Sequence, residues 1–261
     1  NALAYAKERR QGKTNNSKSK EADLIIGHAD IRRSLMNMKS LIEGQRSLAF
    51  WVSQQIDVSL NHTDPKIKAY ANDLVSLMTP LIKSFFTDIG MEITNDSIQV
   101  FGGYGYTKDQ GIEQLFRDNR ITPIYEGTNS IQAVDLVYRK ILNNKIFDKY
   151  ILQISNEVKS YTNNKKLSIF VQKFQKYIEL LNNFTLWLSE KNKNSKDDVS
   201  SACNDYLKVL GYISLAHSWL KILKVSYEKF DENKVFFEDK INTATYYFDK
   251  ILPRAQSHYL S

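Results

Sequence analysis

The chain has 261 residues, 42% of them hydrophobic and 25% charged, with a formal charge of +7; this is the make-up of a folded globular protein long enough for one large domain or two small ones. No run approaches the ~18 apolar residues of a membrane span, and the N-terminus lacks the apolar core of a signal peptide. The single Cys203 rules out an internal disulfide and a Cys-x-x-Cys site, and His28, His62, His217 and His258 lack metal-ligand spacing, so no metal is expected and a reducing, cytoplasmic setting fits.

The chain opens on Asn1 already inside a helical pattern, Leu3 to Gln11, with no capping signal ahead of it, as expected of a piece cut from something longer. Gly12 reads as the stop of this helix, which puts Arg9 and Arg10 in its last turn, where cations complement the helix dipole. Thr14 to Glu21 is a polar loop. Ile31, Leu35, Met38, Ile42, Leu48 and Val52 then recur at helical spacing, with Asp30 as the starting signal. After the break Asn61-His62-Thr63-Asp64-Pro65 a second apolar stripe runs from Ile67 to Ile89, and the two helices form an antiparallel hairpin that needs further helices to cover it.

Gln99-Val100-Phe101-Gly102-Gly103-Tyr104-Gly105-Tyr106 interrupts the helices with three glycines in four positions. It is neither a Gly-Lys-Ser/Thr phosphate loop nor a Gly-x-Gly-x-x-Gly fingerprint after a strand. A flexible turn is the plain reading, although glycines also let the backbone approach a flat ligand closely. Ile112, Leu115 and Phe116 lead on a short helix into Arg117-Asp118-Asn119-Arg120-Ile121-Thr122-Pro123-Ile124-Tyr125-Glu126-Gly127-Thr128-Asn129-Ser130. Pro123 fixes its own φ and turns Thr122 away from helix, while Gly127 allows angles closed to other residues. Thr128-Asn129-Ser130 offers a helix N-cap, followed by Ile131, Val134, Leu136, Val137 and Ile141. Glu126 therefore sits on a rigid turn just ahead of a helix N-terminus, where N–H groups point outward. A base beside a polarising donor is the minimum needed to remove a proton α to a carbonyl. A lone Glu in a Pro/Gly turn is otherwise an ordinary solvated carboxylate.

From Asn143 onward the chain is a string of amphipathic helices: Ile151 to Tyr161, Phe170 to Leu188, Tyr206 to Leu223, and Ile241 to Leu252 before Pro253, with a polar loop from Lys191 to Asp198. Trp187, Trp219 and the other aromatics read as core. The charge divides unevenly, with 18 basic and 16 acidic residues up to 144 and 18 and 13 after it. The basic residues there are mixed with Asn rather than gathered in a stripe, so a solvated surface is expected and a nucleic-acid partner is not.

Three stretches resemble, in order, segments of the acyl-CoA dehydrogenases. Tyr125-Glu126-Gly127-Thr128-Asn129-Ser130-Ile131-Gln132 is similar to their active-site segment. Tyr5-Ala6-Lys7-Glu8-Arg9 is similar to a motif whose Arg meets the FAD pyrophosphate; here Gln11 runs directly into Gly12, without the Phe of that motif, as in a subgroup of larger enzymes. Gln99-Val100-Phe101-Gly102-Gly103-Tyr104-Gly105 resembles the segment that binds the FAD of a neighbouring subunit. The resemblance implies an all-α fold: residues 1–144 as the C-terminal, four-helix-bundle-like domain of that family, and 145–261 as a second helical bundle, an extension like that of the methylthiopropanoyl-CoA dehydrogenases. It implies Glu126 as the catalytic base, FAD held by Arg9, Gln99, Gly102, Gly103, Thr128 and Ser130, and acyl-CoA met by Tyr125 and Gly127. It also implies two hydrogen bonds to the thioester carbonyl, from the Glu126 N–H and a flavin ribityl hydroxyl, that acidify the α-carbon. Electron-transferring flavoprotein as partner and a homodimer or tetramer are also implied. Rival readings are an acyl-CoA oxidase and an alkylation-response DNA-binding flavoprotein of the same fold, or a helical assembly module.

Overall fold

The computed structural model describes residues 1–15, 17–143 and 146–261. Among them there is no strand, only an isolated antiparallel bridge between Arg10 and Leu24. The frame is the hairpin of α2 (Ala29–Asn61) and α3 (Pro65–Phe101). Asp64 starts α3 by accepting from the Lys66 N–H at 2.8 Å, with Pro65 in the first helical position, where its missing N–H costs nothing. A single turn, α4 (Gly103–Tyr106), and α5 (Ile112–Asn119) lead to α6 (Asn129–Asp135), which runs on as a π-helical stretch through Leu136–Leu142. The second half contributes α7 (Ile146–Lys159), α8 (Ser168–Lys191), α9 (Lys196–Glu228), α10 (Lys234–Tyr246, continued by the π-helical Tyr247–Ile251) and α11 (Arg254–Leu260). The chain begins with α1 (Ala2–Glu8).

The expected division at 144/145 lies outside the described residues. On either side of it, one apolar cluster extends from Leu41 on α2 to Ala255 on α11. The joint is α9, whose middle is buried all round and reaches both α2 and α3. Trp219 on α9 is fully buried and donates its indole N–H to the Ser40 carbonyl of α2 at 3.1 Å. Gly44 makes room for that ring, because a Cβ there would lie 2.9 Å from Trp219 Nε1. On α3, Phe85 packs against Gly211 and stands edge-on to Tyr212, ring centres 5.0 Å apart. The truncation Trp219→Ala would cost ~3–5 kcal/mol at such a site.

Several expectations are corrected. The first helix ends at Glu8, so Arg9 lies beyond its last turn in extended backbone (φ −70, ψ 130), and Gly12 (φ 67) belongs to the loop that follows. The extended segment is preferred because Arg9, Gln11 and Gly12 pair with Ile25 and Asp23. α2 is capped by His28 without a side-chain bond, and Asp30 falls inside the first turn. α3 runs through Pro80 to Phe101, into the stretch from Gln99 expected to interrupt the helices, because Val100 and Phe101 find burial. By length and composition α3 also passes as a membrane-crossing helix, with 44% of its most apolar window buried in the bundle; its apolarity serves the centre of the fold. Trp187 is 38% exposed rather than core, since it faces outward from α8. After Pro253 the chain makes one more helix, α11.

Candidate functional site

The segment 120–128 makes a tight turn whose internal bonds are local: Thr122 N–H and Oγ1 both reach the Asn119 carbonyl, and the Ile124 and Tyr125 N–H groups both reach Ile121 O. At its apex Glu126 has φ 55 and Gly127 φ 84. Gly127 takes this left-handed conformation freely. Glu126 does not, and is the one non-glycine residue with positive φ among those described. A side chain held there costs roughly 1–2 kcal/mol, so its surroundings must hold it, and such strain gathers at functional sites.

What holds it is a polar clamp from the middle of α3. Lys83 Nζ donates to the Gly127 carbonyl at 2.6 Å and to Asn129 Oδ1 at 2.9 Å. The Asn129 amide donates to Asp88 Oδ1 at 2.7 Å and to the Ser84 carbonyl at 3.1 Å. Asn129 N–H closes on the Pro123 carbonyl at 3.0 Å, and Gln132 Nε2 on the Glu126 carbonyl at 3.0 Å. Thr128 caps α6, accepting from the Ile131 N–H at 3.4 Å, and Asn204 of α9 donates to Ser130 Oγ at 3.3 Å. The turn is thus pinned on both flanks while its outer surface stays free: Tyr125, Glu126, Thr128 and Ser130 are exposed, Gly127 half-buried. The Glu126 N–H has no hydrogen bond among the described residues and remains available to an outside oxygen. Lys83, Asp88 and Asn129 escaped the sequence reading. The signal was the polar run Lys83-Ser84 and Thr87-Asp88 inside an otherwise apolar helix.

A second feature joins the other two motifs. A cleft of about 410 Å3 is lined by Arg9, Gln11, His28, Gln99 and Gly102 among others. Its wall is built where Tyr5 stacks on Phe101, ring centres 4.3 Å apart. The extended Arg9 segment is fixed by the Ile25 N–H donating to Arg9 O at 2.8 Å, and His28 Nε2 lies 2.9 Å from the Gln11 carbonyl. The loop beyond is tied by Asp23, whose carboxylate accepts from Thr14 N–H at 2.7 Å, Thr14 Oγ1 at 2.8 Å and Ser17 Oγ at 2.9 Å. Those donors, the Thr14 N–H first, hold the Asp23 pKa down at about 2. A Cβ built on Gly102 or Gly103 would meet nothing within 4 Å, so this bare backbone is open to a flat group, and Arg9 beside it suits an anionic one. The residues present therefore fit part of a dinucleotide such as FAD. Gly103, next to Gly102 in the chain, does not line the cleft, nor do Tyr125, Glu126, Gly127, Thr128 and Ser130. Within one chain the structure brings Arg9, Gln99 and Gly102 together and leaves the Glu126 turn apart from them. Among the described residues no cluster of His, Cys, Asp or Glu could hold a metal.

Residues 1–142 match the family model described as acyl-CoA dehydrogenase, C-terminal domain, and 153–260 match acetyl-CoA dehydrogenase C-terminal like. The 3-methylmercaptopropionyl-CoA dehydrogenase of Ruegeria pomeroyi is 39% identical over 141 residues, 54% of this chain and 24% of that protein. A butyryl-CoA dehydrogenase of Syntrophomonas wolfei is 28% identical over 97% of this chain and 42% of its own length. The chain thus spans well under half the length of these relatives. Among solved structures, the acyl-CoA dehydrogenase of Bacillus anthracis complexed with FAD superposes with a TM-score of 0.75 at 16% identity, over 99% of this chain and 44% of that one. Acyl-CoA oxidase 3 of Yarrowia lipolytica superposes at 0.67 and 15% identity, over 99% of this chain and 45% of that one. These likenesses show a shared fold.

Proposed function

Since the chain belongs to the acyl-CoA dehydrogenase family, we propose that it is the catalytic-base-bearing, C-terminal part of an enzyme that introduces an α,β double bond into an acyl-CoA. The observation that carries the reading is Glu126, held at positive φ by the Lys83–Asn129–Asp88 clamp with its carboxylate free on the outer surface. Glu126 removes the proton α to the thioester carbonyl. Its own unpaired N–H polarises that carbonyl oxygen, and an oxyanion donor of this kind is worth ~3–4 kcal/mol in a water-poor site. Tyr125 and Gly127 flank the acyl group. FAD, when bound, supplies the acceptor for the hydride that leaves the β-carbon.

Arg9, Gln99, Gly102 and Gly103 hold one portion of FAD, and Thr128 and Ser130 another. Because the Arg9 cleft and the Glu126 turn are separate surfaces of one chain, a flavin touching both belongs between two copies, in a homodimer or tetramer. Residues 1–144 then form the catalytic domain and 145–261 an extension that braces it through α9. Electron-transferring flavoprotein is the proposed acceptor. The folds shared with acyl-CoA oxidases keep oxygen as the second reading. Oxygen consumption against dye reduction separates the two.

The test is Glu126→Gln in the full-length protein. Flavin content should be unchanged and acyl-CoA should no longer bleach the flavin band. Bleaching at the wild-type rate would refute the role of Glu126.

A further inference from the structure

A second cavity, of about 510 Å3, opens where the first turns of α2 meet the C-terminal helices, and is lined by Ala29, Arg32, Arg33, Met36, Asn37, Tyr246, Lys250 and Arg254. Four of those side chains are cations and none is a carboxylate. The set is assembled only by tertiary packing, since Arg32 and Arg33 lie more than two hundred positions from Lys250 and Arg254. Arg254 is fixed by Glu92 of α3 at 2.6 Å, and Arg32 by the carbonyls of Ile26 and Gly27. The side chains of Arg33 and Lys250 have neither a hydrogen bond nor an ion pair among the described residues. Besides Glu92, the acidic group close by is Asp96 of α3, which feels Arg33 and Arg254 but does not line the cavity. Asp30 lines the Arg9 cleft instead.

The neutral groups point the same way. Asn37 is only 6% exposed. Its Oδ1 is occupied by the Tyr246 hydroxyl at 2.7 Å, while its amide N–H2 has no partner among the described residues. Asn37 lines the cavity, so this free amide is a donor open to a guest there. The cavity also opens at the start of α2, whose N-cap His28 gives no side-chain bond to the first-turn N–H groups, so the positive end of a 33-residue helix adds to the field.

We propose that this cavity is an anion site for a pyrophosphate-type group, bound by Arg33, Lys250 and Arg254 with the Asn37 amide as a neutral donor. The chemistry excludes a cation or a neutral acceptor-poor ligand, because the lining offers donors almost exclusively. Its volume exceeds that of a single phosphate, so two linked phosphates are the natural guest, either free or as part of a nucleotide. It shares no lining residue with the Arg9 cleft, and the proposal does not depend on the catalytic role of Glu126.

The test uses the full-length, FAD-loaded protein, so that the flavin site is filled, and titrates inorganic pyrophosphate by calorimetry. Wild type should bind with an affinity that falls as salt rises. The double substitution Arg33→Gln/Lys250→Gln should weaken binding at least tenfold, whereas Lys149→Gln, at an exposed cation of α7 outside the cavity, should not. Melting provides the folding control. Without pyrophosphate the double variant should melt at the wild-type temperature or above it, since like charges have been removed, and pyrophosphate should raise the Tm of wild type only. A parallel titration with ADP separates the sources: tenfold tighter ADP binding, lost with the same substitutions, assigns the guest to a nucleotide, and equal binding assigns it to free pyrophosphate. Undiminished pyrophosphate binding in the double variant, or none to the wild type, overturns the proposal.

Discussion

Asn129 gives the sharpest test of how the Glu126 turn is held. Replacing it with Ala removes the acceptor for Lys83 Nζ (2.9 Å) and the donors to Asp88 (2.7 Å) and the Ser84 carbonyl (3.1 Å). Hydrogen bonds to charged partners contribute ~1.5–3 kcal/mol each, and neutral ones ~1 kcal/mol. The site is half-buried, so water can re-solvate Lys83 and Asp88 in part, and Lys83 keeps its bond to the Gly127 carbonyl at 2.6 Å. The expected loss is therefore about 2–3 kcal/mol, well short of the simple total. Asn129→Asp distinguishes the clamp from mere packing. It keeps the acceptor for Lys83 but sets a second carboxylate against Asp88, so it should be at least as harmful as Ala at pH 7 and recover below pH 4, where carboxylates protonate. Urea unfolding of the full-length protein at both pH values measures this, with hydrogen exchange at the Asn129 amide as the local readout. A loss below about 0.5 kcal/mol for Asn129→Ala, or no pH dependence for Asn129→Asp, would refute the clamp.

Gly211→Ala should destabilise by ~1–3 kcal/mol or more in the same unfolding assay, because the added Cβ would lie 2.5 Å from the ring of the buried Phe85. Glu157 accepts from His217 at 2.9 Å and from Tyr161 at 2.7 Å, and these bonds, His217 first, hold its pKa down at about 2 against an ordinary 4.5. Its folded pKa is the lower one, so its stabilising contribution is complete above pH 4.5 and fades as pH falls toward 2; Glu157→Gln should flatten the stability–pH curve in that window. Cys203 is fully buried, with its thiol pKa pushed up to about 11 by burial, so an aromatic disulfide reagent should label it only after denaturant unfolds the chain.

Helical period and glycine placement in the sequence settled that this is an all-α protein, that a tight turn presents Glu126, and that Thr128 stands at the cap of α6, because these depend on neighbours within one or two turns. The same local logic misjudged ends. Nothing near Gly12 reveals that Asp23 and Ile25 pull Arg9 out of the helix, and nothing near Gln99 announces that α3 will find cover as far as Phe101. Trp187 and Trp219 look alike in a helical pattern, yet only the packing of α9 against α2 buries the second. The clamp on Glu126, the meeting of Arg9 with Gln99, and the cationic cavity all join residues far apart in the chain. A sequence can state that Lys83 is polar in an apolar helix, but only folding supplies the distance over which its charge acts on Asn129. Hydrogen bonds and Coulomb forces operate through space, and that space is set by the close packing of α2, α3 and α9.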